Sequence, residues 1–266
     1  MKLQNLYSRQ PVLTLDELWA HLDKGYSCNK RSREALLSYH QRKGHIIRVR
    51  RGLYAIVPPG TAPEDCPVDP YLVAAKSADS AVLAYHTALE VFGKAHSVFE
   101  RFFFQSDKPL RPSTFRTYRF ECTVFPKALR EKHKELFATK TVERSGVDIC
   151  VTSLERALVD LHDRPDLGGG WEEVWRSLES VEYFDLDLVI SYVELLEKKT
   201  TAAKVGYYLQ QHARQLMVEN RHLAPLRRLR PKQPHYLQRG KSGKLVRDWN
   251  LVVPQSLAER SWEEFA

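Results

Sequence analysis

The chain has 266 residues, a formal net charge of +8 and four cysteines, a length that holds one large domain or two of ordinary size. A hydrophobic content of 43% with 11% aromatics excludes a disordered polymer. The longest apolar runs, such as Ala81 to Tyr85, fall far short of the roughly 20 residues that cross a bilayer, and the mostly polar opening, Met1 to Gln10, is no secretory leader, so a cytoplasmic protein without a membrane partner is expected.

In chain order, Met1 to Ser8 reads as a short leading helix with Leu3, Leu6 and Tyr7 inward. Thr14-Leu15-Asp16-Glu17 has the T-x-x-E spacing of a capping box, and Leu15, Leu18, Trp19 and Leu22 then recur at helical spacing until Gly25 ends the element. A turn through Tyr26 to Asn29 leads into a second helix with Ala35, Leu36, Tyr39 and His40 facing the first. Two helices joined by a tight turn, the second basic at its leading end, make a helix-turn-helix pattern. After Gly44, His45 to Arg50 alternates with Ile47 and Val49 on one face and Arg48 and Arg50 on the other, Arg51-Gly52 turns, and Leu53 to Val57 returns as the partner strand.

Charge is concentrated here. Between Lys24 and Arg51 stand nine Lys or Arg (Lys24, Lys30, Arg31, Arg33, Arg42, Lys43, Arg48, Arg50, Arg51) against one acid, Glu34, a net of +8. A solvated charged face would avoid such self-repulsion, whereas a helix that enters a groove beside a hairpin that grips phosphate requires it. Asn29, Lys30, Arg31, Ser32 and Arg33 are the candidate recognition-helix contacts; Arg42 and Lys43 are candidates for flanking phosphates, and Arg48, Arg50, Arg51 and Tyr54 for the wing. A second basic stretch, with Arg227, Arg228, Arg230, Lys232, Arg239, Lys241, Lys244 and Arg247 and no acid among them, is a candidate surface for DNA or for a protein partner.

From Pro58 to Pro70 the chain reads PPGTAPEDCPVDP, five prolines in thirteen residues, the composition of a linker between domains. The expected division is a DNA-binding domain over 1–57, a linker over 58–70 and a larger mixed domain over 71–266. Within that body, Tyr71 to Lys76 and Ala81 to Phe92 read as helices, Val98 to Ser106 and Thr114 to Phe125 as strands, and Thr139 to Arg144 with Val147 to Val151 as a hairpin about Ser145-Gly146. Thr152-Ser153-Leu154-Glu155 opens a helix with Leu154, Ala157, Leu158 and Leu161 inward; Trp171 to Ser180, Leu186 to Lys198 and Ala202 to Asn220 follow as helices. Pro225 to Val253 is irregular, anchored by Tyr236, Leu237, Leu245, Trp249, Leu251 and Val253, with Lys241 to Lys244 a basic loop tip. Strands first and helices after make an α+β fold: an N-terminal winged helix-turn-helix and a larger mixed α+β domain.

No catalytic, metal or cofactor set emerges. Gly168-Gly169-Gly170 follows no strand and precedes no Lys-Ser or Lys-Thr, so it is a helix stop and start rather than a phosphate loop. Asp160, His162 and Asp163 fall at and beyond the end of an apolar stripe, where solvent exposure is expected for the last two. Glu197-Lys198-Lys199, with Asp185 or Asp187 upstream, is a nuclease-like E-x-K on a helix instead of a strand. His40 and His45 lack a Cys or carboxylate at ligand spacing. Cys28, Cys66, Cys122 and Cys150 are too dispersed for a metal knuckle and are expected as free thiols.

The order T-L-D-E-L, then S-x-x-x-L-L-S-Y-H-x-x-x-G-H-I-I-R-V-R-R-G-L-Y-A, then a proline-rich joint resembles the N-terminal winged helix of the AbiEi-type antitoxins of type IV toxin-antitoxin, or abortive infection, systems. Ala84 to Gly93 (AYHTALEVFG), Val151 to Asp160 (VTSLERALVD), Gly168 to Trp175 (GGGWEEVW) and Pro234 to Pro254 (PHYLQRGKSGKLVRDWNLVVP) are similar to stretches of that family's C-terminal part. The resemblance implies a non-enzymatic repressor that binds operator repeats in duplex DNA of its own operon, as a monomer or weak dimer, and counteracts a nucleotidyltransferase-like toxin. By position it places DNA contacts on Asn29 to Arg33 and Arg48 to Tyr54; His86 falls in a shared motif, but as a helical histidine beside apolar neighbours it reads as a structural residue. Two readings stand beside it: a module that clamps a protein partner directly, and a nuclease.

Overall fold

A computed structural model describes residues 7–22, 29–238 and 240–258. Most of the expected leading helix, the turn at Gly25 and Tyr26, Cys28 and Arg239 lie outside them. The fold is mixed α+β, with three sheets among the described residues, in two compact units that are each discontinuous in sequence. One comprises the described residues of Met1–Leu83, Glu100–Thr123 and Thr141–Cys150, the other those of Ala84–Phe99, Val124–Lys140 and Val151–Ala266.

The first unit opens with β1 (Val12–Thr14) and α1 (Leu15–Leu22), then α2 (Lys30–Arg42), β2 (Ile46–Arg50) and β3 (Leu53–Ile56). The capping box forms at α1: the Thr14 amide donates to Glu17 Oε2 (2.7 Å) and the Glu17 amide to Thr14 Oγ1 (3.3 Å). The strands make an antiparallel sheet in the order β1-β3-β2. Leu13, Leu18, Ile46, Tyr54 and Ile56 form its core, with Leu15 and Leu37 packed against them. The inward face of α2 is therefore rotated from the expected one: Leu37 packs inward, while Ala35 and Tyr39 are exposed. Strand β2 also departs from simple alternation, because its register slips between Arg48 and Arg50, so that Ile46 and Val49 are the buried pair.

The proline-rich stretch is built into this unit instead of marking its end. It holds a 3-10 turn at Pro63–Asp65 and the fully buried Cys66. The Arg116 guanidinium donates to the carbonyls of Cys66 (2.7 Å), Glu64 (2.8 Å) and Pro63 (3.2 Å). Next come α3 (Pro70–Ala75), N-capped by Asp69, and β4 (Val82–Leu83). The remaining strands are β5 (Arg101–Ser106), β6 (Ser113–Phe115), β7 (Tyr118–Val124), β8 (Thr139–Arg144) and β9 (Val147–Thr152), joined in a sheet ordered β6-β7-β5-β4-β9-β8. Two expected elements change: Ala81 to Phe92 is a short strand and then a helix, and Thr114 to Phe125 is a hairpin. Each breaks at a residue with positive φ, Tyr85 at 58° and Arg116 at 55°.

The second unit is mainly helical: α4 (His86–Val91), α5 (Lys127–Glu131), α6 (Leu154–Asp163), α7 (Trp171–Glu179), α8 (Leu186–Leu196), α9 (Lys199–Gln211) and α10 (Asn220–Leu229), followed by β10 (His235–Tyr236), β11 (Lys244–Val246), β12 (Leu251–Val253) and α11 (Gln255–Ala258). Ser153 caps α6, accepting from the Arg156 amide (3.4 Å). Gly169, left-handed at φ 84°, ends a 3-10 turn, and Gly170 caps α7. The helix expected over Ala202 to Asn220 stops at Gln211, and a new one, α10, starts only at Asn220; the tail is more ordered than expected, for α10 runs through Pro225, and β10, β12 and β11 form a small sheet. Leu237, Trp249, Leu251 and Val253 are buried anchors, but Tyr236 and Leu245 are exposed.

Within this core Arg156 is fully buried, donating to the carbonyls of Glu135 and Phe137 (both 2.7 Å) and lying 3.5 Å from Asp160 Oδ2. Tyr192 donates to Asp160 Oδ1 at 2.7 Å. His162 is buried, not exposed as its position past the stripe suggests, because Trp171, Trp175 and Tyr208 close around its ring. Burial drives its pKa down to about 3.

Candidate nucleic-acid interface

Helix α2 begins at an Asn29 cap, whose Oδ1 accepts from the Ser32 amide at 2.9 Å. Its first turn has no acidic residue and holds Lys30, Arg31 and Arg33. Cations there oppose the positive end of the helix dipole, an arrangement that disfavours an isolated helix and suits a bound anion. Arg31 and Ser32 are exposed. Arg33 is different: its guanidinium lies 5.7 Å from the Trp19 ring centroid and is half-buried, so it helps to dock α2 onto α1.

At the far end of α2, Arg42 and Lys43 are exposed, the Arg42 Nε donating to the Ser38 carbonyl at 3.4 Å. Across the hairpin Arg48 and Arg51 are exposed, and Gly52, at φ 80°, makes the turn between the strands. None of Arg31, Arg42, Lys43, Arg48 and Arg51 is ion-paired to a described residue. Besides Arg33, two of the sequence candidates leave this surface. Tyr54 is 5% exposed in the small core. Arg50, past the register slip, is half-buried, and desolvation lowers its pKa.

Behind the hairpin, His40 Nδ1 and His45 Nδ1 meet at 3.0 Å, a contact invisible in their spacing. Burial, and then the charge of His45, lower the His40 pKa. On α1, burial tends to raise the Glu17 pKa, but hydrogen bonds from Lys76 and Thr14 hold it below the usual carboxylate range.

In the second unit, Arg227 lies over the Trp249 ring at 5.5 Å. Arg227, Arg228, Arg230 and Lys232 line a recess of about 430 Å³ with Pro231 and Asn250, while Lys241, Lys244 and Arg247 are exposed. The E-x-K residues sit at a helix end: Glu197, left-handed at φ 57°, pairs with Lys132, and Lys198 with Asp163. His86 is buried on Phe99, stacked at 3.8 Å, with Glu173 at 3.2 Å and Glu90 at 3.4 Å. Burial tends to raise the Glu173 pKa, but hydrogen bonds from Ser97 and His86 lower it. Cys66, Cys122 and Cys150 are free; burial raises the Cys66 pKa. Among the described residues no three His, Cys, Asp or Glu converge as a metal site, and no helix is long and apolar enough to cross a membrane.

No family model matches the chain, and no curated protein does. Among solved structures it is similar to the crystal structure of the RV2827C protein from Mycobacterium tuberculosis, at 16% identity and a TM-score of 0.57, over 100% of this chain and 94% of that one. At that identity the likeness is one of fold.

Proposed function

We propose that residues 1–57 act as a winged helix-turn-helix that binds duplex DNA, and that the chain is a transcriptional repressor and antitoxin of the AbiEi type, controlling its own operon and counteracting a nucleotidyltransferase-like toxin. The observation that carries the DNA-binding reading is the set of five exposed cations, Arg31, Arg42, Lys43, Arg48 and Arg51, on α2, just beyond it and on the β2–β3 hairpin, with Leu37, Ile46, Tyr54 and Ile56 packed inward. The leading end of α2 meets base edges and phosphate, and the hairpin arginines hold the flanking backbone. The antitoxin assignment draws on the family resemblance of the sequence.

A reporter fused to the chain's own promoter, read with and without the chain, tests the first half of the proposal; growth rescue on co-expression with the neighbouring reading frame tests the second. Full reporter output in the presence of the chain overturns repression. A toxic neighbour that the chain leaves toxic overturns the antitoxin role. A second reading, direct clamping of a protein partner, is favoured by one feature of the second unit: Tyr183 and Met217, 67% and 68% exposed, line a groove with Asp185, Asp187 and Glu219. Copurification with the neighbouring product distinguishes it.

A further inference from the structure

Half of the second basic stretch converges on a single recess. Arg227, Arg228, Arg230 and Lys232 line it together with Pro231 and Asn250, and none of the four cations is ion-paired to a described residue. Like charges gathered around a concavity focus its field and raise the local concentration of anions. The site is also braced. The Arg227 guanidinium rests over the buried Trp249 ring, whose indole N–H donates to Gln210 Oε1 (2.5 Å). The Asn250 side-chain amide donates to the carbonyls of Pro231 (2.8 Å) and Lys232 (3.4 Å), which fixes the turn that carries Lys232.

We propose that this recess binds a polyphosphate group, either inorganic or as the tail of a nucleoside polyphosphate. Arginine forks pair with phosphate oxygens through two parallel bonds, and three of them beside a lysine suit clustered phosphates. The recess, about 430 Å³, opens widely to solvent, so a phosphate chain meets the cations at the surface and not in an enclosed pocket. Among the described residues no aromatic side chain lines it, and they supply none of the stacking platform on which single-stranded nucleic acids lie. The proposal does not depend on the DNA-binding reading, which concerns other residues.

Isothermal titration of the full chain with sodium tripolyphosphate, without magnesium and against sulfate at matched ionic strength, tests it. Saturable one-to-one binding is expected, at least tenfold weaker in Arg228→Ala/Arg230→Ala and retained in Lys241→Ala/Lys244→Ala, which removes equal charge from elsewhere in the stretch. Thermal melts establish that each variant is folded, and Arg228→Gln/Lys232→Gln gives an independent reading. ATP binding as tightly as tripolyphosphate makes phosphate alone the recognised group; tighter binding of ATP makes the ligand a nucleotide, and both results support the site. No saturable heat, equal losses in the 228/230 and 241/244 variants, or a recess variant that weakens duplex DNA binding while tripolyphosphate does not bind, overturns the proposal.

Discussion

The hairpin arginines give the most demanding test of the DNA-binding proposal. Each phosphate contact releases condensed counterions, so log K changes with log[salt] at a slope of about −0.9 per contact. If the five exposed cations, Arg31, Arg42, Lys43, Arg48 and Arg51, each meet one phosphate, the slope is about −4.5, and affinity falls about 500-fold between 50 and 200 mM salt. Arg48→Ala/Arg51→Ala leaves three contacts and a slope of about −2.7; the same change in salt then costs about 40-fold, and at 0.1 M the variant binds about 60-fold more weakly than the parent. Both side chains are exposed, so the loss is one of binding, not of folding. Fluorescence anisotropy with a labelled duplex from upstream of the operon, repeated at four salt concentrations, measures both quantities. Parallel slopes for parent and variant, or a parent affinity indifferent to salt, refute the reasoning.

Three further outcomes concern the second unit. Because the unfolded chain protonates His162 near its ordinary value of 6.5 while the folded chain resists to about 3, stability is intact above pH 6.5 and declines as pH falls toward 3. The decline is about 1.4 kcal/mol per pH unit, or about 3 kcal/mol by pH 4.5, and urea titrations at pH 7 and pH 4.5 will show less of it in His162→Phe. A methyl group at Gly206 runs into the Trp249 ring, so Gly206→Ala lowers stability by about 1–3 kcal/mol despite alanine's better helix propensity; an unchanged melting temperature contradicts this packing. Removing Arg156 strands Asp160 in the core, and Arg156→Met costs about 3–5 kcal/mol. A double variant that also carries Asp160→Leu recovers part of the loss, and simple additivity in chemical denaturation counts against the coupling.

The parts of the fold legible in the sequence are those governed by local rules. Thr14 and Glu17 cap α1 as their spacing requires, Gly52 turns the hairpin, and Gly169 and Gly170 stop one helical segment and start the next. What escaped depends on distant partners. The two-residue β4 exists because β5 and β9 pair with it, and no pattern in Val82-Leu83 foretells that. Tyr54 is a wing contact candidate in the sequence, yet it packs with Leu13 and Leu18 from other elements in the small core. The slip between Arg48 and Arg50 exchanges the faces of β2, a two-residue event below the resolution of alternation. His162 lies past its helix's apolar stripe, and only the folded positions of Trp171, Trp175 and Tyr208 enclose it.

The discontinuity of the first unit bears on how the protein is made. Its last segment is Thr141–Cys150, so the chain cannot complete that unit until the ribosome has released residue 150, although α2 and the hairpin emerge long before. Domains ordinarily fold in turn from the N-terminus during synthesis; here the nascent chain carries Val82–Leu83 beside β5 but without its later neighbour β9. For the same reason, no single recombination breakpoint can exchange one unit for a homologous one.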